Sequence, residues 1–165
     1  MGVLCYSALQ QGLLSGRFMR PDDVPDGRRR TRLFRIGSSD MSRHSDASSA
    51  EYEELVFGVG GSGGGDDGDG DDGEGRGVLE AIRAICASQG VTMAQAAVAW
   101  LLAQPGVHNV LVGASSPEQV ERNAALVQLG GETVAALTAT TEVLRARMGE
   151  AGNIIDQYAA ESRIH

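Results

Sequence analysis

The sequence predicts an α/β fold in which parallel β-strands alternate with α-helices. Two apolar runs bounded by turn residues, 2–6 and 108–112, are typical of strands, and helical patterns follow each of them. The second run contains Val110, Leu111 and Val112 in succession, as expected of a parallel strand covered on both faces. We therefore expect two buried, parallel strands that belong to a sheet or a barrel.

Composition and charge exclude several classes of function. The chain has 165 residues, 42% of them hydrophobic, which is enough for one domain with a core. Aromatic residues make up 4% and the formal net charge is −8, a combination that argues against a nucleic-acid partner. Six acidic residues fall within residues 66–74, so most of the negative charge belongs to one segment and indicates little about partners.

No targeting or membrane signal is visible in the sequence. No apolar run approaches the roughly 18 residues of a membrane span, and no basic region precedes an apolar one as in a signal peptide. Cys5 and Cys86 lie in apolar surroundings without the spacing of a metal site or a disulfide scaffold, so we expect buried free thiols. These features favour a cytoplasmic protein without a membrane partner.

The segment YSALQQGLLSG follows the first strand and suits a phosphate group. Ser7, Gly12 and Gly16 would let backbone N–H groups approach an anion closely. Residues 21–50 are rich in Arg, Ser, Asp and Gly, which predicts a loop. This loop holds a basic cluster that is either solvated or in contact with an anion: Arg28, Arg29, Arg30, Arg32 and Arg35.

An acidic, glycine-rich segment interrupts the next helical pattern. Eleven of the twenty residues in 58–77 are glycine, and such a segment cannot bury enough apolar surface to offset its ordering entropy. We expect it to be disordered, and it lacks the residue order of an EF-hand loop, so no metal site is expected there. The flanking patterns predict one helix that begins near Glu51, resumes near Val78 and ends before Gly90.

Capping residues in the sequence predict the ends of the following helices. Thr92 and Gln95 form a capping box for a helix that Pro105 ends, and Trp100 within it is interpreted as a core residue. A last helix is predicted over 132–149, and the tail after it is expected to pack as irregular structure.

The stretch NVLVGASSPEQVERN, residues 109–123, places a capped helix directly after a strand. Ser116 is the expected N-cap and Pro117 the first helical residue. The free N–H groups and the dipole of a helix start favour an anion, and Gly113 would allow close approach. A capped helix without any ligand is the alternative. The polar side chains that suit a nucleotide phosphate or an adenosine ribose are Ser115, Ser116, Gln119, Arg122 and Asn123.

Several segments, in this order, resemble the C-terminal portion of an aldo/keto reductase. They are YSALQQGLLSGRF, RRRTRLF, GVTMAQAAVAWLLAQPGVHNVLVGASSPEQVERNAAL and the closing ESRIH. The resemblance covers about residues 3–35 and 78–165 and is nearest to the branch of bacterial NADP-dependent oxidoreductases and potassium-channel β-subunits. It implies that residues 1–165 form a partial (β/α)8 TIM barrel, holding the seventh and eighth strands and the C-terminal helices, with 58–77 as a foreign insertion.

The same resemblance implies that the chain binds the nicotinamide dinucleotide NADP(H). The residues implied at the nicotinamide and phosphate end are Tyr6, Ser7, Leu9, Gly12, Arg17 and Arg30. Those that match the adenosine-end motif are Gly113, Ser115, Gln119 and Asn123.

Four positions depart from the family pattern. Ala8 replaces the usual Pro, and Arg17 stands where the family commonly has Lys. Ser115 replaces an Arg that is common in bacterial members, which affects the contact with the 2′-phosphate of NADP. Arg122 stands where a Glu often binds the adenine amino group, so that contact would be lost.

The family's catalytic Asp, Tyr, Lys and His lie on its first four βα units and match no position in this chain. No catalytic residue is therefore assigned, and His44, His108 and His165 are interpreted as surface residues. We expect a cofactor-binding fragment of an NADPH-dependent carbonyl reductase, whose partner is a missing N-terminal barrel half and which alone reduces no carbonyl. The alternatives are a non-catalytic nucleotide-binding or scaffold module and a decayed remnant.

Overall fold

The structure, a computed structural model, describes residues 2–29, 49–58 and 77–150. The basic cluster from Arg30 onward, most of the glycine-rich insertion and the tail after residue 150 lie outside this part of the chain. The described elements in chain order are β1 (Val3–Cys5), α1 (Asp26–Arg29), α2 (Ser49–Phe57), α3 (Val78–Ser88), α4 (Met93–Leu102), β2 (Val107–Val110), α5 (Pro117–Ala124) and α6 (Gly131–Glu150), with 3₁₀ turns at Gln10–Ser15 and Pro21–Asp23.

The two strands pair in parallel, as the sequence predicts. Val3 lies opposite Val107 and Cys5 lies opposite Val110, with an irregularity in the register after Val3. Just beyond the ladder, the N–H of Leu111 donates to the carbonyl of Cys5 at 2.8 Å. Both strands are shorter than predicted, and their carboxyl ends meet at one edge of the sheet.

The prediction that both strands are buried is wrong for the described residues. Leu4 in β1 is 55% exposed, and Leu111 just after β2 is equally exposed. Helix α4 packs against β2, yet these residues of the two-stranded sheet stay largely exposed. A continuous apolar run therefore identifies the strands here without predicting their burial in this chain.

The hydrophobic core lies between the helices and the turns after β1. Helix α3 presents Leu79, Ile82 and Cys86 at helical spacing, and α6 adds Leu137. Trp100 is partly buried and packs against this cluster without being one of its buried members. The other buried members come from the segment after β1 and from the helices α2, α3 and α4: Leu13, Phe18, Val24, Val56, Val78, Met93 and Ala96.

The predicted single helix that resumes after the insertion is two helices whose ends meet. Gly77 has an extended backbone, with φ −67° and ψ 161°, so the helical path does not continue from α2 into α3. The backbone of Gly58 nevertheless lies against Gly77. The segment between Gly58 and Gly77 therefore begins and ends at the same place on the fold. An insertion at this place does not require α2 or α3 to move.

The helix ends follow the predicted local chemistry. Gly90 adopts a left-handed φ of 66°, and the N–H groups of Gly90 and Val91 donate to the carbonyls of Ala87 and Cys86. These two bonds form a Schellman motif. At the start of α4, Thr92 and Gln95 cap one another in both directions.

No helix within the described ranges is by itself long and apolar enough to cross a membrane. Helices α3 and α4 together reach that length and hydropathy, but a bend of 87° separates them. Most of their buried residues, among them Leu79 and Met93, belong to the core cluster.

Candidate functional site

A cleft of about 470 Å³ opens at the carboxyl edge of the two strands. Because β1 and β2 are parallel neighbours, the segments that follow Cys5 and Val110 meet at this edge, where ligands bind in open α/β sheets. The residues that line the cleft are Ser7, Ala8, Leu9, Gln11, Gly12, Ser15, Arg17, Phe18, Thr92, Ala94, Gln95, Leu111, Val112, Gly113, Ala114, Ser115, Gln119, Arg122 and Asn123.

The cleft brings together most of the residues that the sequence implicates in cofactor binding. Tyr6 does not line it and is 70% exposed, and Arg30 lies outside the described residues. The implicated residues that share the cleft are Ser7, Leu9, Gly12, Arg17, Gly113, Ser115, Gln119 and Asn123. The two predicted anion-binding segments thus face one space.

The wall after β1 is a tight turn with unusual backbone angles. Ser7, Gln10 and Gln11 have φ values of 57°, 49° and 57°, and Gly12 follows at 102°. Residues other than glycine rarely adopt this left-handed region, and backbone strain of this kind clusters at functional sites. The glycine is visible in the sequence as a turn residue, whereas the positive φ values of the residues before it have no such signal.

Some N–H groups of this turn are already bonded within the turn. The N–H of Gln10 donates to the carbonyl of Ser7, and the N–H of Gly12 donates to the carbonyl of Leu9, both at 2.8 Å. The N–H groups of Gln10 and Gly12 are therefore not available to a phosphate in this conformation. The side chain of Ser15 likewise donates to the Gly12 carbonyl.

The wall after β2 is the start of α5, which is capped by its own side chains. Ser116 Oγ accepts from the N–H of Gln119 at 3.4 Å, as the predicted N-cap should. Gln119 Oε1 in turn accepts from the N–H and the hydroxyl of Ser115, at 2.9 and 3.1 Å. The predicted open helix start is thus partly closed by residues that were expected to meet a ligand.

The side chain of Glu118 adds a negative charge beside this helix start. The hydrogen bond from the Ser116 side chain lowers the pKa of the Glu118 carboxyl most, followed by a backbone hydrogen bond and the charge of Arg122. Glu118 is therefore ionised at neutral pH, although its side chain does not line the cleft.

Two arginines supply the charge of the cleft from opposite walls. Arg17, in the segment after β1, places its guanidinium 5.9 Å from the centroid of the Phe18 ring. Arg122 on α5 donates through Nε to the carbonyl of Glu118 at 3.3 Å. No carboxylate is among the described residues that line the cleft, so its electrostatics favour an anion.

A third element, the start of α4, reaches the cleft and was missed by the sequence analysis. Thr92, Ala94 and Gln95 line the cleft. Gln95 Nε2 also donates to the carbonyl of Ala125, the C-cap of α5, at 3.1 Å, which ties the two helices together. The capping box was visible in the sequence, but nothing in it indicated the long-range contact.

The described residues include no group of three or more His, Cys, Asp and Glu side chains that could hold a metal ion. His108 is exposed, with Nδ1 2.8 Å from the carbonyl of Gly106, as expected of a surface residue. His44 and His165 lie outside the described part of the chain.

Comparison with known proteins adds two findings. Residues 1–142 match the profile of the Aldo/keto reductase family. The chain is also 28% identical over 127 residues to the NADH-specific methylglyoxal reductase of Escherichia coli strain K12. That alignment covers 77% of this chain and 29% of the relative, so the chain spans less than a third of the length of the curated protein it matches.

Proposed function

The chain belongs to the aldo/keto reductase family, and on that premise we propose that its cleft binds NADP(H) as the cofactor of a carbonyl reductase. We further propose that β1 and β2 are the seventh and eighth strands of a (β/α)8 barrel. Phosphate sites in such barrels often lie after these two strands, which is the edge where the cleft opens.

The charge distribution of the cleft carries this proposal. Among the described residues, the charged side chains lining it are Arg17 and Arg122, in a chain whose formal net charge is −8. An anionic ligand would meet these two cations and no carboxylate from the described part of the chain, although the net charge of the whole chain repels anions. A dinucleotide with a central pyrophosphate has the length and charge to contact both walls.

The size and the neutral groups of the cleft fit the same ligand. Its volume of about 470 Å³ falls within the usual range for small-molecule sites. Ser7, Gln119 and Asn123 offer hydroxyl and amide groups for ribose and carboxamide oxygens, and Gly113 leaves open space where a side chain would otherwise project.

When bound, the cofactor supplies the hydride for carbonyl reduction. In the family, proton transfer uses an Asp, Tyr, Lys and His set that matches no position in residues 1–165. We therefore propose that this chain holds and orients the cofactor and that groups outside it supply proton transfer. Methylglyoxal, named in the relative, is a reasonable carbonyl substrate to test.

Titration of the purified chain with NADPH and NADH, followed by nucleotide fluorescence, tests cofactor binding. Charge reversal of both cleft cations, Arg17→Glu with Arg122→Glu, should abolish binding. The matched control reverses Arg83 and Arg145, which lie on α3 and α6, do not line the cleft and pair with Glu80 and Glu142. Equal loss in both variants would mean that net charge, not the cleft, governs binding, and the proposal would fail.

The second candidate function is a non-catalytic nucleotide-binding module. It is favoured because the chain has a cleft that suits a nucleotide but no residues that match the family's catalytic set. The two hypotheses are distinguished by adding the first six βα units of a family reductase as a separate polypeptide, together with NADPH and methylglyoxal. Carbonyl reduction that appears only in the mixture supports the reductase, and it should be lost with the Arg17→Glu, Arg122→Glu variant. Nucleotide binding without any turnover in the mixture supports the module.

A further inference from the structure

The start of α4 contacts both walls of the cleft. Met93, its first residue, lies against the segment after β1, where a Cβ at Gly16 would stand 3.4 Å from the Met93 sulfur. Gln95 donates through Nε2 to the carbonyl of Ala125, the C-cap of α5, at 3.1 Å. Building on the proposed function, we propose that Gln95 is a positioning residue that holds α5 against α4 and thereby sets the width of the cofactor cleft.

Burial in the core does not fix the position of α5. Among its described residues none is buried, and Val120, its largest apolar side chain, is 56% exposed. The other hydrogen bonds that the structure gives to α5 are local, such as those from the N–H of Gln119 to Ser116 and from the N–H of Ala125 to Glu121. Local bonds hold a helix together without attaching it to the fold, so the attachment of α5 depends on the bond from Gln95.

The capping box of α4 aims the Gln95 side chain at α5. Oε1 of Gln95 accepts from the N–H and the hydroxyl of Thr92, at 3.1 and 3.0 Å. With the amide oxygen held on Thr92, the amide nitrogen donates to Ala125, whose carbonyl belongs to the helix end that lacks intrahelical donors. A glutamate also completes a capping box, but it would place an oxygen against this carbonyl. The link to α5 therefore requires glutamine, whereas the cap does not.

The two contacts of α4 also place the two cations of the cleft. Arg17 directly follows Gly16 on the wall that packs against Met93, a core residue that is 5% exposed. Arg122 lies on α5, three residues before Ala125. A ligand that contacts both cations needs a fixed separation between them, because ordering a mobile wall on binding costs affinity. Loss of the Gln95 bond should therefore displace Arg122 and leave Arg17 in place.

The first experiment measures Kd for NADPH, by nucleotide fluorescence, on the full chain and on Gln95→Met. Methionine keeps the length of the side chain without its amide, and Kd should rise about fivefold, as for the loss of one net hydrogen bond. The matched control is Thr138→Val, which removes the acceptor of the Trp100 bond from α4 to α6, outside the cleft. This control should lower stability in urea unfolding as Gln95→Met does and leave Kd unchanged.

A double-mutant cycle gives a readout that a general loss of stability would not move. Because α5 carries Arg122, Arg122→Gln should raise Kd by a smaller factor in the Gln95→Met background than in the unaltered chain. Arg17→Gln, on the wall that Met93 holds, should raise Kd by the same factor in both backgrounds.

Amide hydrogen exchange tests the link in the absence of nucleotide. The N–H of Ala125 donates to the carbonyl of Glu121 in the last turn of α5, and Gln95→Met should speed exchange of this amide about fivefold. The amide of Gly90, at the end of α3, should be unaffected. Gln95→Glu keeps the acceptor for Thr92 and loses only the donor to Ala125, so it should show the same faster exchange even if Gln95→Met does not fold.

Four results would overturn the assignment. An unchanged Kd in folded Gln95→Met excludes a role of Gln95 in the cleft, while cofactor binding itself would stand. An equal rise of Kd in Thr138→Val shows that general stability governs binding. An equal factor for Arg122→Gln in both backgrounds shows that α5 does not move. Failure of the unaltered chain to bind NADPH refutes the proposed function and the cofactor role of Gln95, and the exchange measurement then still decides whether Gln95 holds α5.

Discussion

Gln119 Oε1 accepts hydrogen bonds from both the backbone N–H and the hydroxyl of Ser115, at 2.9 and 3.1 Å. The two bonds close the segment after β2 onto the first turn of α5. One side chain thereby shapes the wall of the cleft and occupies donors that an anion would otherwise use.

Replacement of this glutamine separates its two effects. Gln119→Glu keeps an acceptor for Ser115 but places a negative charge in the cleft, so it should preserve the thermal midpoint while raising Kd for NADPH and NADH by about tenfold. Gln119→Ala should instead lower the thermal midpoint by removing both bonds. Undiminished nucleotide binding by Gln119→Glu would contradict a site for anions at this wall.

The hydrogen bond between Trp100 and Thr138 should contribute measurably to stability. Trp100 Nε1 donates to Thr138 Oγ1 at 2.9 Å and links α4 to α6. Thr138→Val should cost about 0.5–1.5 kcal/mol in urea unfolding, because the indole N–H loses its partner. Emission from the single tryptophan reports the change directly, and Thr138→Ser, which retains a hydroxyl, should behave as the unaltered protein.

Truncation of a core leucine and of a strand leucine should have very different consequences. Leu79 on α3 is 2% exposed, whereas Leu4 in β1 is 55% exposed. Leu79→Ala should destabilise the chain by about 2–5 kcal/mol, and Leu4→Ala should stay within about 0.5 kcal/mol. A large loss from Leu4→Ala in chemical denaturation would show that β1 is covered in solution, for example by association of copies.

The left-handed residue that ends α3 should resist substitution. Gly90 has φ 66°, and a Cβ there would meet no atom within 4 Å, so only backbone conformation opposes a side chain. Gly90→Ala should cost about 1–2 kcal/mol. Gly131 also has open space but no positive φ, so Gly131→Ala should be neutral or slightly stabilising in the same unfolding measurement.

The two free thiols should differ in reactivity and in their effect on stability. Burial raises the pKa of the Cys86 thiol above its ordinary value of 9.0, whereas Cys5 is only partly buried. Thiol reagents should therefore modify Cys5 first. Because the unfolded state loses the Cys86 proton before the folded state does, stability should fall as pH rises above 9.0. In Cys86→Ala this part of the pH dependence should disappear from urea unfolding curves.

Local features of the chain were predictable from its sequence because each is confined to one helical turn. The capping box of Thr92 with Gln95, the N-cap at Ser116 and the glycine at position 90 all lie where their chemistry indicates. The parallel pairing of the strands and the family resemblance were likewise anticipated. The glycine at 77 was not recognised as a break, because an extended backbone there depends on its contact with Gly58.

The sequence by itself determined the helix caps, the start of α3 near Val78 and the residue types that suit a dinucleotide. Only the tertiary structure decided that Arg17 and Arg122 face one cleft, that the start of α4 joins it, and that Ser115 and Gln119 bind each other. It also decided that β1 is exposed. The physical reason is the sequence separation of the interacting residues. A helix cap depends on residues a few positions apart, whereas a cleft and the burial of a strand depend on contacts between segments that are distant in the chain.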